Sequence, residues 1–284
     1  MTIAGTAGTW LSWRYFVETA IGQRIDGTAF RGSRIGRNVL WRAVEPVLDI
    51  VSVPFIAAVL GAAVVIAIAR RRWFLAVQVA ALVGGANVTT QVLKRLVLDR
   101  PPLIDDGGSA GNSLPSGHTT VATSIAAAFV LVVPRRIRPP CAVLGAGYAA
   151  LTGVSTMVGG WHRPSDVIAG MTVVLAWAGL TTILTAFGSS EQTSVTTSRH
   201  SETLLFGSFL AMICVAAGIG AGWALTQTRD HLRGISVITS RAGLATAYLG
   251  AWLGVVAVAA LSFAAILIAH QDASRSVEKT HQPS

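Results

Sequence analysis

The sequence predicts an all-α fold, a polytopic transmembrane helix bundle. The chain is 52% hydrophobic and only 12% charged, where soluble domains carry about 25% charged residues. The missing charge leaves long apolar windows separated by short polar stretches. A window of about 20 apolar residues crosses a bilayer, and does so as a helix because lipid offers the backbone no hydrogen-bond partner. Most glycines and alanines fall inside these windows, where small residues let helices approach closely.

Residues 1–49 read as an N-terminal segment, a short first or interfacial helix followed by an Arg-rich polar connection over 21–49. If the first 20 residues cross, Arg14 and Glu18 enter the membrane at a cost. If they lie in the interface, Trp10, Trp13 and Tyr15 anchor them. With neither a basic start nor an A-x-A-type site, they do not read as a cleaved signal peptide. Spans are expected at 50–69, 73–93, 118–134, 141–160 and 166–187, which group as a core over 50–187. Two further spans, 204–226 and 244–269, fall in a region 188–270, and 271–284 reads as a polar, disordered tail.

The net charge is +9, and every basic residue except Lys94 and Lys279 is an arginine. These arginines sit in loops beside spans, which suits anionic lipid head groups better than nucleic acid. The clusters Arg70-Arg71-Arg72 and Arg135-Arg136-Ile137-Arg138 occupy tight turns, as the positive-inside rule expects of the cytoplasmic face. Cys141 and Cys214 lie in apolar windows without metal-ligand spacing, so they read as small core residues.

Three polar segments share one membrane face by span counting: KRLVLDRPP (94–102), PSGH (115–118) and STMVGGWHRPSD (155–166). Singly, each has an ordinary reading. Lys94, Arg95 and Arg100 suit snorkelling cations, Ser116 suits a helix cap, and Pro164 and Asp166 suit the first turn of a helix. The histidines are not explained that way, because His118 and His162 both open spans on the same face. His162 and Asp166 are spaced i, i+4, so the carboxylate can hold one ring nitrogen and leave the other free to attack. His118 can then protonate a leaving oxygen. Lys94 and Arg100 can hold an anion, and Ser116 with the N–H groups around Gly117 adds donors at a helix start. Cations, helix-end donors and two histidines suit phosphoryl transfer. There is no ligand spacing for a metal.

Lys-x5-Arg-Pro, then Pro-Ser-Gly-His, then Ser-x6-His-x3-Asp resembles the type 2 phosphatidic acid phosphatase family, whose active site is related to that of vanadium haloperoxidases. The family pattern is K-x6-RP, PSGH and SR-x5-H-x3-D, and the resemblance covers about residues 50–187. It implies a six-helix phosphatase core with a site at the membrane interface, to which the last two spans are added. It implies His162 as nucleophile through a phosphohistidine, His118 as general acid and Asp166 as orienting carboxylate. It assigns phosphate binding to Lys94, Arg100, Ser116 and Gly117, with no metal and no cofactor. Two departures stand out: the first segment is one residue short, and Thr156 replaces the arginine expected after Ser155. Arg163, beside His162, is the candidate replacement cation.

The resulting expectation is an integral membrane phosphatase. Its substrate is a lipid phosphate or diphosphate, such as a polyprenyl diphosphate, phosphatidic acid or phosphatidylglycerol phosphate. It is placed in a bacterial plasma membrane with its site facing outward, with membrane lipids and no nucleic acid as partners. The alternatives are a lipid-linked phosphotransferase and a catalytically impaired protein that binds anionic lipid.

Overall fold

The computed structural model describes residues 1–35, 73–104, 111–188 and 198–279, together with Arg37, Leu40, Trp41, Arg42, Glu45 and Gly61. The described chain is all-α. The span expected at 50–69 lies, Gly61 apart, outside the described residues. Helix α1 (Thr2–Phe16) is followed by α2 (Ala20–Gly32), α3 (Trp73–Val92) and a π turn over Leu93–Val97. Then come α4 (Gly117–Val132), α5 (Arg138–Val158), α6 (Pro164–Gly188), α7 (Ser198–Gly234) and α8 (Arg241–Lys279).

Among the described residues, five helices are long and apolar enough to cross a membrane: α3 with its π turn, α5, α6, α7 and α8. The protein is an integral membrane helix bundle. Helix α4 has 16 residues, or about 24 Å, less than the ~30 Å hydrocarbon core. It therefore begins inside the polar PSGH segment rather than beyond it.

Helix α6 is the centre of the bundle, touching α1, α3, α4 and α8. Its apolar window is 67% buried against 17% for α7, whose main neighbour is α8. Buried alanine and valine dominate the core, with Phe263, Leu82 and Met171 as its larger members. Hydroxyl and amide bonds stitch the helices across their small-residue faces. Thr9 and Thr172 hydroxyls join α1 to α6 at 2.9 Å, Thr90 and Thr120 join α3 to α4 at 2.9 Å, and Trp177 Nε1 donates to Thr89 Oγ1 at 3.0 Å. Such bonds are worth about 0.6 to 2 kcal/mol each between membrane helices. Cys141 and Cys214 are free, half-buried thiols.

Three expectations change. The stretch read as a polar connection is helical from Ala20 to Gly32, with Thr19 as its N-cap accepting the Gly22 N–H at 3.0 Å. The buried residues of α2 mix polar Gln23, Asp26 and Thr28 with glycines and only Ile25 and Ala29 as apolar members, so the segment forms no apolar window. Helix α7 starts before 204 and runs past 226 to Gly234, where His231 and the Arg233–Asp230 pair decorate its last turns. Helix α8 continues to Lys279, into the stretch read as disordered. Extending a formed helix adds a hydrogen bond per residue without a new nucleation cost. As for the first 20 residues, α1 lies along α6, and Arg14 and Glu18 form a 3.3 Å pair where the chain turns toward α2.

Candidate active site

The start of α6 is built by a short turn. Helix α5 ends at Val158, and Gly160 takes φ +68°, the left-handed region glycine enters without penalty. The N–H groups of Trp161 and His162 fold back onto the Thr156 carbonyl at 3.0 and 3.4 Å. Pro164 then opens the helix, its missing N–H costing nothing there. Asp166 lies in this first turn and is fully buried. Its Oδ2 accepts from the Arg163 N–H at 2.9 Å and lies 3.3 Å from His162 Nδ1. The acid thus caps the helix start and holds the imidazole. His162 is 7% exposed.

The PSGH segment docks directly on this turn. The Ser116 N–H donates to the Asp166 carbonyl at 2.8 Å. Ser116 is the N-cap of α4, its buried Oγ accepting from the Thr119 N–H at 3.3 Å and the Thr119 hydroxyl at 3.0 Å. Gly170 makes the approach possible, since a Cβ there would stand 2.8 Å from the Ser116 carbonyl oxygen. Gly117 is different: a Cβ there would meet only Gln91 Nε2 at 3.5 Å, so packing does not demand a glycine. His118 is exposed, with its ring centroid 6.1 Å from that of His162 and 5.3 Å from that of Trp161.

The cationic segment is tied to PSGH by Asn112, whose Nδ2 donates to the carbonyls of Leu98 and Leu114, both at 2.8 Å. Lys94 sits in the π turn, half-buried, and its charge acts on His118. Arg95 is exposed. Arg100 is half-buried with its terminal guanidinium nitrogens enclosed, and its charge acts on Asp26 of α2. The structure therefore brings Ser116, Gly117, His118, His162 and Asp166 to one place, with Lys94 and Arg100 on the adjoining segment that Asn112 ties to PSGH.

Thr156 is fully buried and its hydroxyl donates to the Gly153 carbonyl at 2.7 Å. It closes the last turn of α5 instead of presenting a charge. Arg163 is 7% exposed and its guanidinium lies over the Phe30 ring of α2, 5.5 Å from the centroid.

Among the described residues, no three His, Cys, Asp or Glu side chains are grouped as metal ligands would be. The chemistry on offer is two histidines, one buried carboxylate and flanking cations. Residues 75–189 match the PAP2 superfamily, a stretch that holds all three segments. The chain carries a PAP2 superfamily domain. That assignment agrees with the resemblance to type 2 phosphatidic acid phosphatases. No curated protein and no solved structure matches the chain. The PAP2 domain runs from α3 to the end of α6, so α1, α2, α7 and α8 lie outside it.

Sequence reasoning misses three residues at the PAP2 site. Trp161 packs beside His118 and meets Trp41 edge-on, with the tryptophan centroids 6.1 Å apart. Gln23 and Asp26 reach the site from α2. Their only signal is two polar residues at i, i+3 just after the Thr19 cap. Replacing Gly170 with valine should force α6 off the Ser116 carbonyl. Overpacking of this kind costs about 1–3 kcal/mol, so the variant should melt at lower temperature in detergent and lose turnover together with it.

Proposed function

We propose that the PAP2 domain hydrolyses a lipid phosphate or diphosphate through a phosphohistidine. The observation that carries this reading is the Asp166 carboxylate 3.3 Å from His162 Nδ1 at the start of α6, with the His118 ring, from the first turn of α4, centred 6.1 Å from that of His162. A carboxylate accepts, so Nδ1 carries the proton and the Nε2 lone pair is free. Nε2 attacks phosphorus, and the bond from phosphorus to the lipid oxygen breaks. His118 gives that oxygen its proton. Water then attacks the phosphohistidine, His118 takes the water's proton, the P–N bond breaks and inorganic phosphate leaves. The ring separation is one that a phosphoryl group between the histidines would span.

Phosphate binding falls to Lys94, Arg100, the Ser116 hydroxyl and the N–H groups at Gly117, where the positive end of α4 favours an anion. Arg163 is the proposed replacement for the cation absent at Thr156, its charge steadied by the Phe30 ring. The reading takes the bundle as a six-helix core with α7 and α8 added, in a bacterial inner membrane. The arginine clusters at 70–72 and 135–138 support an outward-facing site. The substrate is an amphiphile whose phosphate sits at head-group depth.

The direct test is phosphate release by purified protein in detergent against a panel of lipid phosphates with EDTA present. Release that survives the chelator is expected. Silence across the panel defeats the reading. His162→Ala should reduce turnover by about a thousandfold or more while the protein still inserts. His118→Ala should cost about a hundredfold or more on lipid substrates and far less on p-nitrophenyl phosphate, whose leaving group needs little protonation. Equal losses on both would remove the general-acid role. Arg163→Ala should lower activity about tenfold or more, the equivalent of a charge-assisted bond of ~1.5–3 kcal/mol. Arg163→Lys should restore only part, since lysine lacks the planar fork.

A further inference from the structure

Helix α2 lies outside the PAP2 domain, yet its buried polar residues touch two of the three site segments. The carboxylate of Asp26, 1% exposed, accepts the Ser165 N–H on Oδ1 at 3.1 Å and the Ser165 hydroxyl on Oδ2 at 2.7 Å. Ser165 is the residue between Pro164 and Asp166 in the first turn of α6. One turn earlier on α2, the Gln23 side chain, 2% exposed, donates through Nε2 to the Pro101 carbonyl at 2.7 Å and to the Val17 carbonyl at 2.7 Å. Pro101 directly follows Arg100. Trp13 Nε1 adds a bond to the Asp99 carbonyl at 3.3 Å from α1.

We propose that α2 is a clamp on the site: Asp26 positions the His162 turn through Ser165, and Gln23 positions the Arg100 segment through Pro101. The description of these segments as nucleophile and phosphate-binding rests on the phosphatase reading above. The clamp acts on a specific weakness. A helix start leaves its first N–H groups unsatisfied. Pro164 removes one of these groups, Asp166 serves the Arg163 N–H, and nothing local reaches the Ser165 N–H. Asp26 supplies the acceptor from 139 residues away in sequence. Without it the first turn frays, and the His162–Asp166 pair frays with it.

Stability is a poor explanation for this acid. Burial, and then the nearby charge of Asp166, push its carboxyl from an ordinary 3.8 up to about 6, although the Ser165 bonds and the charge of Arg100 pull the other way. A raised folded value means that ionising Asp26 costs folding free energy, so its contribution to stability is lost as pH rises from about 4 to 6. At neutral pH the chain carries this cost at a position that bonds the site.

The test uses the full chain in detergent with dioctanoyl phosphatidic acid, normalised to folded protein, and the nitrogen-15 histidine spectrum, with His162 assigned by its loss in His162→Gln. Asp26→Ala, which removes both acceptors, should lower kcat at least tenfold, leave KM within threefold and shift the His162 resonances. Asp26→Asn should recover most of that loss and the resonance positions, because its amide can accept the Ser165 N–H and donate to the Ser165 hydroxyl. Gln23→Leu should act mainly on KM, raising it several-fold. Wild-type kcat in folded Asp26→Ala, unshifted His162 resonances in that variant, or Asp26→Asn as impaired as Asp26→Ala would each overturn the clamp. If Asp26→Ala does not fold, Ser165→Ala decides. It should lower kcat and shift His162 in the same sense, and no change in either overturns the proposal. If the wild type releases no phosphate from any lipid, the phosphatase reading fails, and the His162 spectra alone decide the clamp.

Discussion

A helix that begins inside a protein presents N–H groups with no carbonyl to meet them, and at α6 those groups lie beside His162 and Asp166. The carboxylate of Asp166 takes one and the carboxylate of Asp26 takes another, while the proline between them has none to satisfy. The same Asp166 lies 3.3 Å from His162 Nδ1, and its backbone carbonyl accepts the Ser116 N–H. One residue therefore caps a helix, orients an imidazole and fixes the start of a second helix. Burying a carboxylate this deeply is tolerated only when donors surround it. At Asp166 Oδ2 the groups within reach are the Arg163 N–H and His162 Nδ1, so the fold and the chemistry share these hydrogen bonds.

That arrangement sets where α4 and α6 begin. Both helices start at the same spot, and their positive ends point toward any anion held between the two histidines. Close approach of their starts requires Gly170, where no side chain separates α6 from the Ser116 carbonyl. Farther from the site, hydrophobic sequestration gives no preference for helix over lipid. Small residues and hydroxyl pairs such as Thr9–Thr172 and Thr90–Thr120 hold the bundle together there. Helix α7, mostly unburied, contributes little to this framework.

Much of the site is legible along the chain because its key relation is local. A histidine four residues before an aspartate meets it across one turn, whatever surrounds the turn. A Ser-Gly pair before an apolar run caps a helix in the same way. The departure at Thr156 is legible too, but not its consequence. The threonine hydroxyl turns back onto its own helix, and the neighbouring Arg163 folds over Phe30. Helix α2 escapes notice because its buried residues are largely polar side chains and glycines, which form no apolar window. The extensions of α7 and α8 escape for a related reason, since polar residues join a helix already nucleated in the membrane.

By itself the sequence determined the solvent and the local chemistry. Twenty apolar residues need lipid, and i, i+4 spacing pairs His162 with Asp166. The tertiary structure decided which side chains meet across the bundle. Asp26 with Ser165, Gln23 with Pro101 and Ser116 with Asp166 are all contacts between separate elements. Span order fixes the depth at which a residue lies but not its lateral neighbours. Those follow from how the helix faces pack, and small residues pack closely wherever their shapes allow.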